Sequence, residues 1–196
     1  MPRMHYLILA IILLVFPFAA LAGPYDVPSP IPDTGQTKCY DASGGEISCA
    51  GTGQDGNYTI NPMDFTKLSR GIMVQDNVTA LIWEVKTDDG GVQDKDNTYN
   101  WSAAIAYCED LLLGGYNDWR LPSREELRSI VDYSIPYPGP TIDTSYFPNC
   151  VSSYYWSSTP YAYYADSAWS VNFGYGYDDR DDESSSRYVR CVRAGQ

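Results

Sequence analysis

Histidine is almost missing: the 196-residue chain holds one, His5, inside the apolar stretch that opens it. Residues 1–22, MPRMHYLILAIILLVFPFAALA, read as a signal peptide. Arg3 is the basic start, Tyr6 to Phe18 the apolar run, and Ala20-Leu21-Ala22 a small-residue cleavage site before Gly23. A membrane-spanning helix needs about 20 apolar residues, and this run is shorter and interrupted by Pro17. Once it is removed no histidine is left. That excludes Ser-His-Asp and Cys-His nucleophilic sites and every histidine-ligated zinc or iron. Carboxylate-pair chemistry survives, as does a Ser-Lys arrangement, for which only Lys38, Lys67, Lys86 and Lys95 are at hand with no serine motif near them.

Positive charge is the second shortage. Lys and Arg number 13 against 25 Asp and Glu, a formal charge of −12 that becomes −13 when Arg3 leaves with the leader. Such a surface repels phosphate, so nucleic acid and anionic membranes are not expected partners. Gly23 at the new amino terminus argues against a lipid anchor. The expected location is periplasmic, cell-surface or extracellular, where the five cysteines meet oxidising conditions. An odd count leaves one unpaired and allows about 15 pairings. Cys39 and Cys49 bracket CYDASGGEISC and are expected to clip a hairpin.

What is present divides the chain. Residues 23–60 open with the proline-rich GPYDVPSPIPDTGQT and continue into turn-rich text, an extended linker plus the stapled hairpin. The folded domain is expected over 61–196. IMVQDNVTALIWEVK predicts two strands around Asp76-Asn77. NWSAAIAYCEDLLLGG predicts a helix with Trp101, Ile105, Cys108 and Leu112 on one stripe and Gly114-Gly115 as its stop. A second helix starts with Ser123 as N-cap and Glu126 completing a capping box, with Leu127, Ile130 and Val131 inward. Pro136, Pro138 and Pro140 open a long loop. In SAWSVNF, Trp169, Val171 and Phe173 alternate with Ala168, Ser170 and Asn172, core against polar. SRYVRCVR puts Val189 and Cys191 on one face, which makes Cys191 a candidate mate for Cys108 and leaves Cys150 as the candidate free thiol.

GGYNDWRLPSREEL, YWSST and YVRCVR together resemble the Lcl carboxy-terminal domain family, found at the end of a bacterial collagen-like adhesin, over about 70–196. The resemblance implies an α+β, C-type-lectin-like fold: two helices packed on a small antiparallel sheet with long loops. It also implies a binding or adhesion module and not an enzyme. The Glu-Pro-Asn, Gln-Pro-Asp and Trp-Asn-Asp signatures of calcium-dependent sugar binding are missing.

The candidate binding residues lie in YYWSSTPYAYYADSAWSVNFGYGYDD, which has seven tyrosines in 26 positions from Tyr154 to Asp179. Tyrosine, serine, glycine and aspartate are the residues of adaptable binding loops. Tyr161, Tyr163, Tyr164, Asp166, Tyr175, Tyr177, Asp178, Asp179, Arg180 and Asp181 are the expected contacts to a surface protein or glycan. DDRDDE reads as a hairpin tip. Variable proteins diversified by retroelements share this composition on a similar scaffold, and a carboxylate-pair glycan hydrolase using Asp166, Asp178 or Asp179 is the enzymatic alternative. TDDGGVQDKDN carries Asp88, Asp89, Asp94 and Asp96. The alternate-residue spacing resembles the start of a calcium loop, and a solvated acidic loop is the plainer reading. No other cofactor is expected. The five tryptophans read as core.

Overall fold

A computed structural model describes residues 31–195, so the expected signal peptide and the first part of the linker lie outside the described residues. The fold is α+β, with two short helices and three small antiparallel sheets. β1 (Cys39–Tyr40) and β2 (Glu46–Ile47) form a hairpin closed by a Cys39–Cys49 disulfide, as expected. β3 (Phe65–Leu68), β4 (Met73–Asp76) and β5 (Leu81–Glu84) make an antiparallel meander. α1 (Trp101–Glu109) and α2 (Arg124–Arg128) follow. β6 (Tyr154–Pro160), β7 (Ser167–Asn172) and β8 (Tyr177–Asp182) make the third sheet. The chain then returns so that β9 (Val192–Ala194) pairs with β5. Beside the expected hairpin, the single sheet expected for the domain is thus replaced by two.

The β4–β5 turn forms where Asp76-Asn77 predicts it. The Asp76 carboxylate accepts the N–H groups of Val78 (2.9 Å) and Thr79 (3.2 Å) and the Thr79 hydroxyl (2.6 Å), which lets it stay buried.

Two apolar clusters lie on either side of the β6–β8 sheet. One gathers Trp83, Leu127, Ile130, Val131, Phe147, Tyr155, Val171 and Phe173 beneath α2. The other gathers Ile82, Ala104, Cys108, Trp119, Trp156, Ala168 and Cys191 beneath α1. Opposite residues on neighbouring strands share a face, so β7 feeds one cluster with Val171 and the other with Ala168. β7 is therefore buried on both sides, and the expected core-against-polar alternation fails there. Ser170 and Asn172 are buried with hydrogen bonds to Asp179 and Gly174, while Trp169 is only half-buried.

α2 matches its prediction: Ser123 and Glu126 form the reciprocal capping box, and Leu127, Ile130 and Val131 are fully buried. α1 keeps three of its four predicted stripe residues against the core, Cys108 fully buried and Trp101 and Ile105 partly so. Its buried residues are Ala104, Tyr107 and Cys108, with Leu111 beyond the helix, while Leu112 is 79% exposed. The Cys108–Cys191 disulfide fixes the facing, so the positions four before and three after Cys108 turn inward. The helix ends at Glu109; Gly114 and Gly115, both at positive φ, instead shape the turn joining Leu113 to Tyr116. Residues 33–36 are not a free linker. Tyr133 N–H donates to the Thr34 carbonyl (2.8 Å), Gln36 Nε2 to the Tyr133 carbonyl (3.1 Å), and Asp33 N–H to the Asn61 carbonyl (2.9 Å).

Candidate functional site

The acidic run 178–183, expected as a tip, is mostly strand β8, the edge of its sheet. Strand alternation sends Asp178 and Arg180 to the α2 side and Tyr177, Asp179 and Asp181 to the other. The expected single display surface is thereby split across two faces.

On the α2 side, the Asp178 carboxylate sits between Arg128 (3.2 Å) and Arg124 (3.6 Å). The Arg124 guanidinium lies 4.6 Å over Trp169, and Tyr161 meets the edge of the same indole at 5.1 Å. Arg180 covers Tyr164 at 4.9 Å and Tyr161 at 5.8 Å, and Tyr163 packs edge-on against Tyr164 at 4.9 Å. Tyr163 is 78% exposed. These rings stand on the loop 161–166, which also exposes Asp166.

On the opposite side the tyrosines form a row. Tyr137 stacks on Tyr175 with centroids 4.4 Å apart and planes within 16°; Tyr175 lies 5.7 Å from Tyr177, and Tyr177 lies 6.2 Å from Tyr154. The Tyr154 and Tyr177 hydroxyls are 2.7 Å apart. That bond, with burial and the nearby Tyr154 ring, pushes the Tyr177 phenol up to about 12. Arg187 closes the row, lying 5.3 Å over Tyr154 while its Nε donates to Asp181. Gly139 brings Tyr137 into place: it sits at φ 70°, and a Cβ there would fall 2.6 Å from the Phe173 carbonyl oxygen. Loop and row stand at opposite ends of β7, roughly 20 Å apart by strand rise.

Of the ten expected contacts, Tyr161, Tyr163, Tyr164 and Arg180 come together at one end and Tyr175 and Tyr177 at the other. Asp178 and Asp181 are held in ion pairs, and Asp166 and Asp179 stay exposed between. Sequence reasoning missed Tyr137, Tyr154 and Arg187 because only tertiary packing brings them to the row. It also missed Trp169 as a half-exposed ring under Arg124, although the flanking Ser167 and Ser170 are not the neighbours of a simple core strand.

In the acidic loop, Asp88, Asp94 and Asp96 bring carboxylate oxygens within 4.8 Å of one another, whereas Asp89 turns away to accept Thr87 Oγ1 and the Gly91 N–H. Asp94 is occupied by the backbone. It accepts N–H groups from Asp96 (2.9 Å), Gly90 (2.6 Å) and Asp89 (2.7 Å), which hold its carboxyl below the usual range. The Lys95 ammonium lies 3.3 Å from Asp88 and 3.0 Å from Asp96. A cation already stands among these carboxylates.

A concavity of about 910 Å³ runs between Ile105 and Glu109 of α1, the outer side of α2 and residues 31–34. Two of its charged groups pair with each other, Arg120 bidentate to Glu126 (2.7 and 2.6 Å), and Glu126 also serves the capping box.

The geometry defines an α+β domain, tied by a disulfide from its first helix to its last strands, that displays aromatic rings on an acidic body. The sequence profile of the Lcl C-terminal domain family matches residues 72–193, and the chain belongs to that family. A comparison with curated proteins found no match.

Proposed function

We propose that the chain is a secreted, C-type-lectin-like adhesin module that recognises a surface protein or glycan through the tyrosine and aspartate side chains of the β6–β8 sheet. The observation that carries this reading is the row Tyr137–Tyr175–Tyr177–Tyr154. Three of its rings are exposed, at 64, 55 and 43%, yet they are ordered against one another. Rigid rings with few torsions give contact area at little entropic cost, and their hydroxyls add polar recognition. The family membership supports the adhesin-like class. Two disulfides support an oxidising compartment, and no helix among the described residues is long and apolar enough to cross a membrane. Binding in preference to hydrolysis is supported by the splay of Asp178 and Asp179 to opposite faces of one strand, which keeps them from converging on a bond. Calcium at Asp88, Asp94 and Asp96 would have to displace Lys95.

The test is a glycan array and a panel of intact cells probed with three proteins: wild type, Tyr175→Ala/Tyr177→Ala, and Tyr161→Ala/Tyr163→Ala/Tyr164→Ala. Either set is expected to weaken binding by about tenfold or more, about 1.4 kcal/mol, with little change in melting temperature. Unchanged binding in both, or a collapse of stability, would sink the reading. A retroelement-diversified relative is the second reading, favoured by loop 161–166, in which every residue after Tyr161 is exposed and replaceable without touching the core. Shared third bases in the Tyr, Asp, Ser and Ala codons from Tyr161 to Ser186 would support it, and mixed ones would remove it.

A further inference from the structure

Cys150 is the one cysteine outside a disulfide, in the loop between α2 and β6, packed against the cluster beneath α2. The residue is half-buried, but its thiol end is enclosed enough that burial pushes its pKa up. Its sulfur lies 3.6 Å from the Tyr155 hydroxyl, which accepts the Val151 N–H at 2.8 Å. The wholly buried Arg190 meets the same place. Its Nη1 donates to the Glu84 carbonyl at 2.7 Å, and its guanidinium lies 5.0 Å from the Phe147 ring centroid and 6.0 Å from that of Tyr155. Its charge and a weak hydrogen bond bear on the Cys150 thiol and oppose the effect of burial.

Apart from that weak contact with Cys150, Arg190 Nε and Nη2 have no acceptor among the described residues. Those two nitrogens form one edge of the guanidinium, the edge that grips a carboxylate by two parallel bonds. A neutral thiol is a weak acceptor and cannot satisfy it. Two anionic oxygens on one atom would.

We propose that Cys150 is a peroxide oxidation site whose sulfinate is received by the free edge of Arg190. In the first step the thiol loses its proton to solvent, which burial opposes and the Arg190 charge favours, and the thiolate attacks one oxygen of hydrogen peroxide; an S–O bond forms, the O–O bond breaks, and water leaves. The resulting sulfenate attacks a second peroxide in the same way. In all, one thiol and two peroxides give a sulfinate, one proton and two waters; sulfur loses four electrons, two to each peroxide bond. Arg190 holds the two oxygens side by side, and the Tyr155 hydroxyl supplies a third donor. The enclosed thiol end makes this product a better fit than a disulfide to a second chain.

The full chain treated with hydrogen peroxide is expected to gain about 32 Da at the peptide bearing Cys150, separated from methionine oxidation by peptide mapping. Cys150→Ser is expected to lose that gain. The oxidised protein is expected to melt at a higher temperature than the reduced one, and Arg190→Lys, which keeps the charge but not the fork, is expected to abolish that rise. Should Arg190→Lys not fold, Tyr155→Phe is expected to reduce the rise. Three results would overturn the proposal: oxidation only after unfolding in urea, oxidation that stops at about 16 Da, or an oxidised protein that melts below the reduced one. None of these bears on surface binding by the tyrosines, so the two proposals stand or fall separately.

Discussion

Glu84 joins three remote parts of the chain through one buried carboxylate. One oxygen accepts the Tyr107 hydroxyl, the Lys86 ammonium at 3.1 Å and the Gln93 amide at 3.5 Å; the other accepts the Cys191 N–H at 3.0 Å. Burial pulls the Lys86 pKa down against the upward pull of Glu84, and burial followed by Glu84 pushes the Tyr107 phenol up. Replacing Glu84 by glutamine keeps the shape and leaves Lys86 as an uncompensated buried cation, so urea denaturation at pH 7 is expected to show a loss of about 3–5 kcal/mol. LIWEVK shows Lys86 near Glu84 but not that both are buried, because the Tyr107 and Cys191 partners lie 23 and 107 positions further along the chain. The tyrosine row was half legible for the same reason: its composition stood out, while Tyr137 and Tyr154 joined it through packing. Tyr154→Phe tests the bond inside that row. The folded phenol of Tyr177 lies above its ordinary value of 10.0, so the stability it contributes is complete below pH 10.0 and is lost as pH rises through about 12. Removing the Tyr154 hydroxyl is expected to bring that titration back toward 10.0, as followed by tyrosinate absorbance.

Among the elements, those governed by local chemistry were the readable ones. The capping box of α2 is an i, i+3 pattern, and it formed where Ser123 and Glu126 placed it. Ser123→Ala removes an acceptor for the Glu126 N–H and is expected to cost about 1 kcal/mol by chemical denaturation, with the fold retained. α1 shows the opposite case. Periodicity sets a stripe but not where the helix stops: Trp101, Ile105 and Cys108 face the core, while Leu112 lies beyond the end at Glu109 and is exposed. β8 was hidden by its charge. Aspartates are poor strand residues alone, yet Arg124 and Arg128 hold Asp178 and Arg187 holds Asp181, and these arginines come from elements on both sides of the sheet. The acidic loop before α1 was legible as a cluster, whereas Lys95 within it only acquired meaning once its ammonium was seen between Asp88 and Asp96.

For the whole molecule, the two disulfides carry unequal weight. Cys108 and Cys191 close a separation of 83 residues and Cys39 and Cys49 one of 10, which in a chain-entropy account amounts to about 4–5 and about 2–3 kcal/mol. Cys108→Ala/Cys191→Ala is expected to lower the midpoint of the main cooperative transition in guanidinium. Cys39→Ala/Cys49→Ala is expected to loosen the amino-terminal hairpin and leave that midpoint nearly in place.

β9 lies beside β5, so the last-made strand of the domain completes a sheet begun by its first-made strands. As the ribosome delivers the chain, β3, β4 and β5 emerge long before Cys191 and Val192. Until they arrive, Glu84 lacks a backbone donor, Cys108 lacks its sulfur partner and the flank of β5 is bare. The domain is consequently a clasp that its last strand shuts, and a chain truncated before Cys191 leaves the clasp open.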